Sequence, residues 1–142
     1  MEGEDGVDVE IKRVVINERQ RGVAILFAVI EYPVCELPGG YFDAYYSSIR
    51  DNVMDWLNRC EIPRVRDEYF ALCKQQYAPR FARYDYKLKC QPIYGDKHIE
   101  VVCEFSYSQG GTLIKQSVLR RFWNLRDGLM LKKVPKPMRN SK

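Results

Sequence analysis

The sequence is poor in the residues and spacings that announce a chemistry. It has one histidine, His98, and its five cysteines stand at 35, 60, 73, 90 and 103. No Cys-x-x-Cys pair exists, so spacing offers neither a redox motif nor a zinc knuckle. A Cys/His zinc tetrad would need long-range convergence on that one imidazole. There is no Gly-x-x-x-x-Gly-Lys-Ser/Thr loop, Gly-x-Gly-x-x-Gly turn, His-Glu-x-x-His helix or Gly-x-Ser-x-Gly elbow, which removes the common signatures of nucleotide binding, zinc peptidase and serine hydrolase chemistry. The longest apolar run, Val23 to Ile30, has eight residues, against the roughly 20 of a membrane-crossing helix. The opening Met-Glu-Gly-Glu-Asp-Gly is acidic, where a secretory signal is basic and then apolar.

What is present is a globular composition. Ten tyrosines, six phenylalanines and two tryptophans in 142 residues exclude a disordered chain and suit a single core. The net charge of +4 is too mild to indicate nucleic-acid binding, but its distribution is uneven. Residues 1–10 hold five acids and no bases, and residues 132–142 hold five bases and no acids. The expectation is an acidic flexible leader over 1–8, one domain over 9–133 and a basic flexible tail over 134–142. An odd cysteine count without a signal implies free thiols, no disulfides and a cytoplasmic setting. No metal or cofactor is expected, nor a membrane span.

Hydrophobic periodicity places the elements. Val9–Glu18 and Val23–Tyr32 alternate as two strands about a Gln20-Arg21 turn. That turn would set Val14 opposite Phe27 and Ile16 opposite Ile25, with Val14, Ile16, Val23, Ile25, Phe27 and Val29 on one core face. Pro33 and Leu37-Pro38-Gly39-Gly40 end the hairpin. The period then becomes 3.6: Phe42, Tyr45, Tyr46, Ile49, Val53, Trp56, Leu57 and Cys60 form a stripe. Pro63 interrupts this helix; a second helix or a kinked continuation carries Val65, Tyr69, Leu72, Cys73 and Tyr77, and Pro79 closes it. From Arg80 the period returns to two. A Gly95-Asp96 turn sets Leu88 opposite Cys103, Tyr86 opposite Phe105 and Tyr84 opposite Tyr107. Gly110-Gly111 leads into Thr112–Leu125, and Asp127-Gly128 into a last short strand, Leu129–Leu131. The order ββ-αα-ββββ predicts an α+β fold, an antiparallel twisted sheet packed on one long helix plus a shorter second one.

Few side chains form a reactive set. His98 and Cys103 are five residues apart along one strand, too far to act together, and Glu100 and Glu104 share the strand face opposite the core. Arg120-Arg121-Phe122-Trp123 interleaves bases and aromatics as single-strand nucleic-acid platforms do, but a strand sends Arg120 and Phe122 one way and Arg121 and Trp123 the other.

Three local patterns resemble a known family. Tyr32-Pro33 ends a strand before a long helix with an aromatic start, Tyr45-Tyr46. Gly110-Gly111 opens a strand running into Phe122-Trp123-Asn124-Leu125-Arg126-Asp127-Gly128-Leu129-Met130-Leu131. That stretch is similar to the aromatic-Asp-Leu-x-Thr-Gly-x-x-Leu strand–turn–strand of a bacterial domain of unknown function. The domain occurs in lysozyme-sensing anti-sigma factors and as an accessory domain of peptidoglycan deacetylases. The resemblance covers roughly residues 24–133 and implies an α+β fold with a non-catalytic, ligand- or protein-binding role. Four positions depart from the pattern. Thr112-Leu113 follows the glycines where the family often has Ala-His, and Asn124 and Asp127 stand where Asp and Thr are common. Family members are mostly extracytoplasmic, so the resemblance also admits a piece of an extracytoplasmic protein, and lysozyme binding is not carried over.

The function expected from these observations is that of a non-catalytic binding or interaction domain for an unknown protein or small ligand. The proposed contact surface is Tyr41, Tyr45 and Tyr46, beside the Leu37–Gly40 bend, because exposed tyrosines near a glycine-hinged loop anchor partners. Two alternatives stand beside it: a small cysteine-dependent hydrolase or transferase using Cys35 or Cys103, and weak nucleic-acid binding through the basic tail.

Overall fold

The structure, a computed structural model, describes residues 7–75 and 80–132. Tyr77, Pro79, residues 1–6 of the leader and the tail from 133 lie outside the described residues. Five strands form one sheet in chain order: β1 (Glu10–Gln20), β2 (Val23–Val34), β3 (Tyr84–Tyr94), β4 (His98–Gln109) and β5 (Thr112–Asn124). The β2–β3 ladder is parallel and the others antiparallel, so the sheet is mixed and not the antiparallel one the element order predicts. A parallel pair needs a long crossover, supplied here by one joined helix from Pro38 to Cys73. It comprises a tight turn at Pro38–Gly40, α1 (Tyr41–Trp56), a widened π turn (Leu57–Glu61) and α2 (Ile62–Cys73).

The fold is thus α+β, with two corrections to the expected element order. The helix is not broken at Pro63. Proline cannot donate to the carbonyl one turn back and its ring crowds it; the π turn just before it opens the backbone so that the helix continues. The wider turn also advances the buried stripe, which runs Leu57, Glu61, Val65, Tyr69, and Cys60 is turned out to solvent. The last strand shrinks to an isolated bridge between Trp123 and Met130. Gly128 sits in the turn before it at φ 75°, where a Cβ would strike the Pro38 carbonyl oxygen at 2.0 Å, so the turn is pressed against the helix start.

Both hairpin registers differ from expectation. Val14 pairs with Ile30 and Ile16 with Ala28. The turn centres on Arg21 and Gly22, at φ 52° and 78°, the geometry of a tight two-residue hairpin, and a bulge near Glu18/Arg19 takes up Ile25. The core side of β2 is therefore Leu26, Ala28 and Ile30. In the β3–β4 hairpin, Tyr86 lies opposite Tyr107, Leu88 opposite Phe105 and Cys90 opposite Cys103. The connection is longer than a two-residue turn and is closed by the Gly95 N–H donating to the His98 carbonyl at 2.9 Å. The alternation survives this two-residue slide, so Tyr84, Tyr86 and Leu88 face the helix as expected.

The core lies between the joined helix and one face of the sheet. At its centre Trp123 donates its indole N–H to the Tyr46 hydroxyl at 2.9 Å, and Phe42 packs edge-on against the indole at 5.3 Å. Trp123→Ala is expected to destabilise the fold by about 3–5 kcal/mol in denaturant unfolding. Tyr46→Phe, which leaves the buried indole N–H without its acceptor, should cost about 1–3 kcal/mol.

Candidate functional site

The aromatic contacts orient α1 on the sheet. Its first turns meet Trp123, near the end of β5, and its last meets Phe105 and Tyr107 on β4. Since β5 pairs antiparallel with β4, α1 runs beside β5 in the opposite direction. At one end of the seam between them Arg121 donates to the Tyr45 hydroxyl at 3.2 Å. At the other, Trp56, Val53, Asn52, Phe105 and Lys115 line an open groove of about 300 Å³. Trp56 is half-buried there, its ring centroid 5.7 Å from Tyr86, 5.8 Å from Phe105 and 6.0 Å from Tyr107.

Beyond the groove β5 is an edge strand. Among the described residues, the segment after it covers only its C-terminal end, where the Leu131 N–H bonds the Phe122 carbonyl at 2.7 Å. Residues 112–118 are all exposed, among them Leu113, Ile114 and Val118. β5 carries Lys115, Arg120 and Arg121 and no acidic residue. Arg120 and Phe122 fall on the open face and Arg121 and Trp123 on the helix face, so the basic–aromatic run is divided as its alternation predicts.

The three tyrosines singled out by sequence separate. Tyr41 is 54% exposed, its ring lying over Gly39. Tyr45 is half-buried against Trp123 at 5.4 Å. Tyr46 is 1% exposed and belongs to the core, because the i+4 step from Phe42 puts it at full depth. A contact surface at this end of the helix therefore has Tyr41 and the rim of Tyr45, not Tyr46.

A polar network that sequence alone did not reveal lies where the π turn faces β3. Glu61, 8% exposed, accepts from Arg64 at 2.7 Å and from the Tyr86 hydroxyl at 2.6 Å. Glu68 accepts from Arg64 and from the Tyr84 hydroxyl, and the Arg64 guanidinium stands 5.0 Å over the Tyr84 ring. Each buried charge has a partner, as burial requires. Desolvation, then the bond to Glu61, pushes the Tyr86 hydroxyl well above its ordinary pKa of 10.0. Desolvation does the same to Tyr46. Both phenols stay neutral, Tyr86 as a donor to Glu61 and Tyr46 as the acceptor of the Trp123 indole N–H.

The thiols divide differently from expectation. Cys35 is buried, and desolvation followed by the nearby Asp43 pushes it up to about 11, away from the thiolate. Cys90 and Cys103, thirteen residues apart in sequence, are cross-strand neighbours with sulfurs 2.9 Å apart. His98 lies on the opposite face of β4 with its ring against Phe122 at 5.8 Å, so it is no partner to Cys103. Among the described residues no cluster of three or more His, Cys, Asp or Glu side chains could hold a metal ion, and no helix is long and apolar enough to cross a membrane. No family model and no curated protein matches this chain.

The raised phenols set an alkaline limit. The unfolded chain ionises tyrosine near pH 10.0 while folded Tyr46 and Tyr86 resist. Their contribution to stability is complete below that pH and is lost as pH rises above it. Unfolding midpoints measured from pH 8 upward are expected to fall steeply above about pH 10, and Tyr86→Phe should shallow that decline.

Proposed function

We propose that this domain is a non-catalytic interaction module that takes an extended, acidic peptide segment as an added strand on β5. The supporting observation is the character of that strand: a long exposed sheet edge with three cations and no acid, set beside an aromatic groove. An unpaired edge offers a row of backbone donors and acceptors to an incoming strand. The cations repel a second β5 and favour carboxylates. Alternate side chains of an added strand would pass over Ser117 and Leu119 toward Val53 and Trp56, where a half-buried tryptophan is a strong anchor. Tyr41 and Tyr45 extend the same seam toward the Leu37–Gly40 bend.

Selection from a displayed library of random linear peptides tests the reading. Acidic sequences with an apolar residue at every second position should be enriched. Trp56→Ala should weaken their binding by about tenfold or more, and Lys115→Glu should weaken it while flattening its salt dependence. Arg13→Ala, on the open face beyond β2, should leave it unchanged. Absence of enrichment, or neutral peptides that bind Lys115→Glu equally well, would overturn the proposal.

A further inference from the structure

We propose that Cys90 and Cys103 form a peroxide-responsive dithiol that closes to a disulfide linking β3 to β4. They are direct partners in an antiparallel ladder, their sulfurs are 2.9 Å apart, and each is 4% exposed. Partners in such a ladder have Cα atoms about 4.5–5.5 Å apart, inside the roughly 4.4–6.8 Å span of disulfides. Closure therefore needs movement of the sulfurs, not a new strand pairing.

The site also has the chemistry, with a cleft close by. The thiol of Cys103 is lowered by the hydrogen bond from Cys90 and by the charge of Arg121, against the effect of burial, and the thiolate is the reactive form. Cys90 borders a cleft of about 490 Å³ lined also by Arg13, Glu31, Lys89 and Pro92. The cleft begins where the β2–β3 ladder ends, beyond Ile30 and Leu88, and brings solvent beside the Cys90 position; Cys103 does not line it, so peroxide reaches that sulfur through local opening of the β3–β4 pair.

The reaction balances with that oxidant. The Cys103 thiolate attacks one peroxide oxygen; the O–O bond breaks, the other oxygen leaves as hydroxide and takes a proton to become water, and Cys103 becomes a sulfenic acid. The Cys90 sulfur then attacks the Cys103 sulfur. The S–O bond breaks, the hydroxyl leaves with the Cys90 proton as a second water, and the S–S bond forms. Two thiols are oxidised and one peroxide is reduced to two waters. A dithiol reductant reverses the change.

The full chain carrying Cys60→Ser and Cys73→Ser keeps Cys35, Cys90 and Cys103 and removes the more exposed thiols. After peroxide treatment and alkylation under denaturing conditions, its mass before alkylation should fall by that of two hydrogens. Only Cys35 should be alkylated, and a digest should yield the Cys90 and Cys103 peptides linked. Dithiothreitol should restore both thiols. Cys90→Ala in the same background should abolish the link and leave a sulfenic acid on Cys103 that a dimedone probe traps. If Cys90 and Cys103 remain alkylatable after methionines have become sulfoxides, or if thiol loss appears only as links between chains, the proposal fails.

Discussion

The bond from the Trp123 indole to the Tyr46 hydroxyl fixes the relation of helix to sheet on which the other features depend. It joins the first turns of α1 to the end of β5, inside a packed set that includes Phe42 and Tyr45. Aromatic rings packed edge to face resist sliding because their close contacts are made on several sides at once. With that end held, the course of α1 decides how far Trp56 stands from β5, and so the width of the groove at Lys115. The same anchor explains why, among the described residues, no full sixth strand forms. The chain after β5 is drawn against Pro38 through Gly128, and only one bridge to Trp123 remains.

At the other end the constraint is Pro63. A helix that must continue past a proline needs a local opening, and the π turn supplies it at the cost of rotating an acidic residue inward. Glu61 takes the buried position that the 3.6 period reserves for an apolar side chain. Arg64, Tyr86, Tyr84 and Glu68 then follow as the partners a buried carboxylate requires. The network is therefore first a consequence of keeping one helix unbroken. Its effect on the surface is to hold Tyr86 in place beneath Trp56, which gives the groove a fixed floor.

The fold class, the strand alternation and the helix stripe were legible because hydrophobic period is a local property. Hairpin register was not, because it depends on where the backbone turns, and one added turn residue slides every pair. In β3–β4 the faces came out right and the neighbours wrong. Leu88 was expected opposite Cys103, where Cys90 stands. That slide hid the dithiol, since a spacing of thirteen residues carries no motif. In β1–β2 the bulge at Ile25 reversed the inward set of β2. Tyr45 and Tyr46 were adjacent candidates for one buried position. The i+4 step from Phe42 favours Tyr46, and the Trp123 indole, more than seventy residues away, gives the buried hydroxyl its partner.

These constraints meet on the helix face of β4 and β5. Cys103 pairs with Leu119 and Val101 with Arg121, so the dithiol, the basic side chain bonded to Tyr45 and the apolar floor of the seam belong to neighbouring rungs. Arg121 stabilises the Cys103 thiolate and also bonds the Tyr45 hydroxyl. Arg121 thus stands between the dithiol and the rim of the seam, its charge felt at Cys103 and its guanidinium bonded to Tyr45.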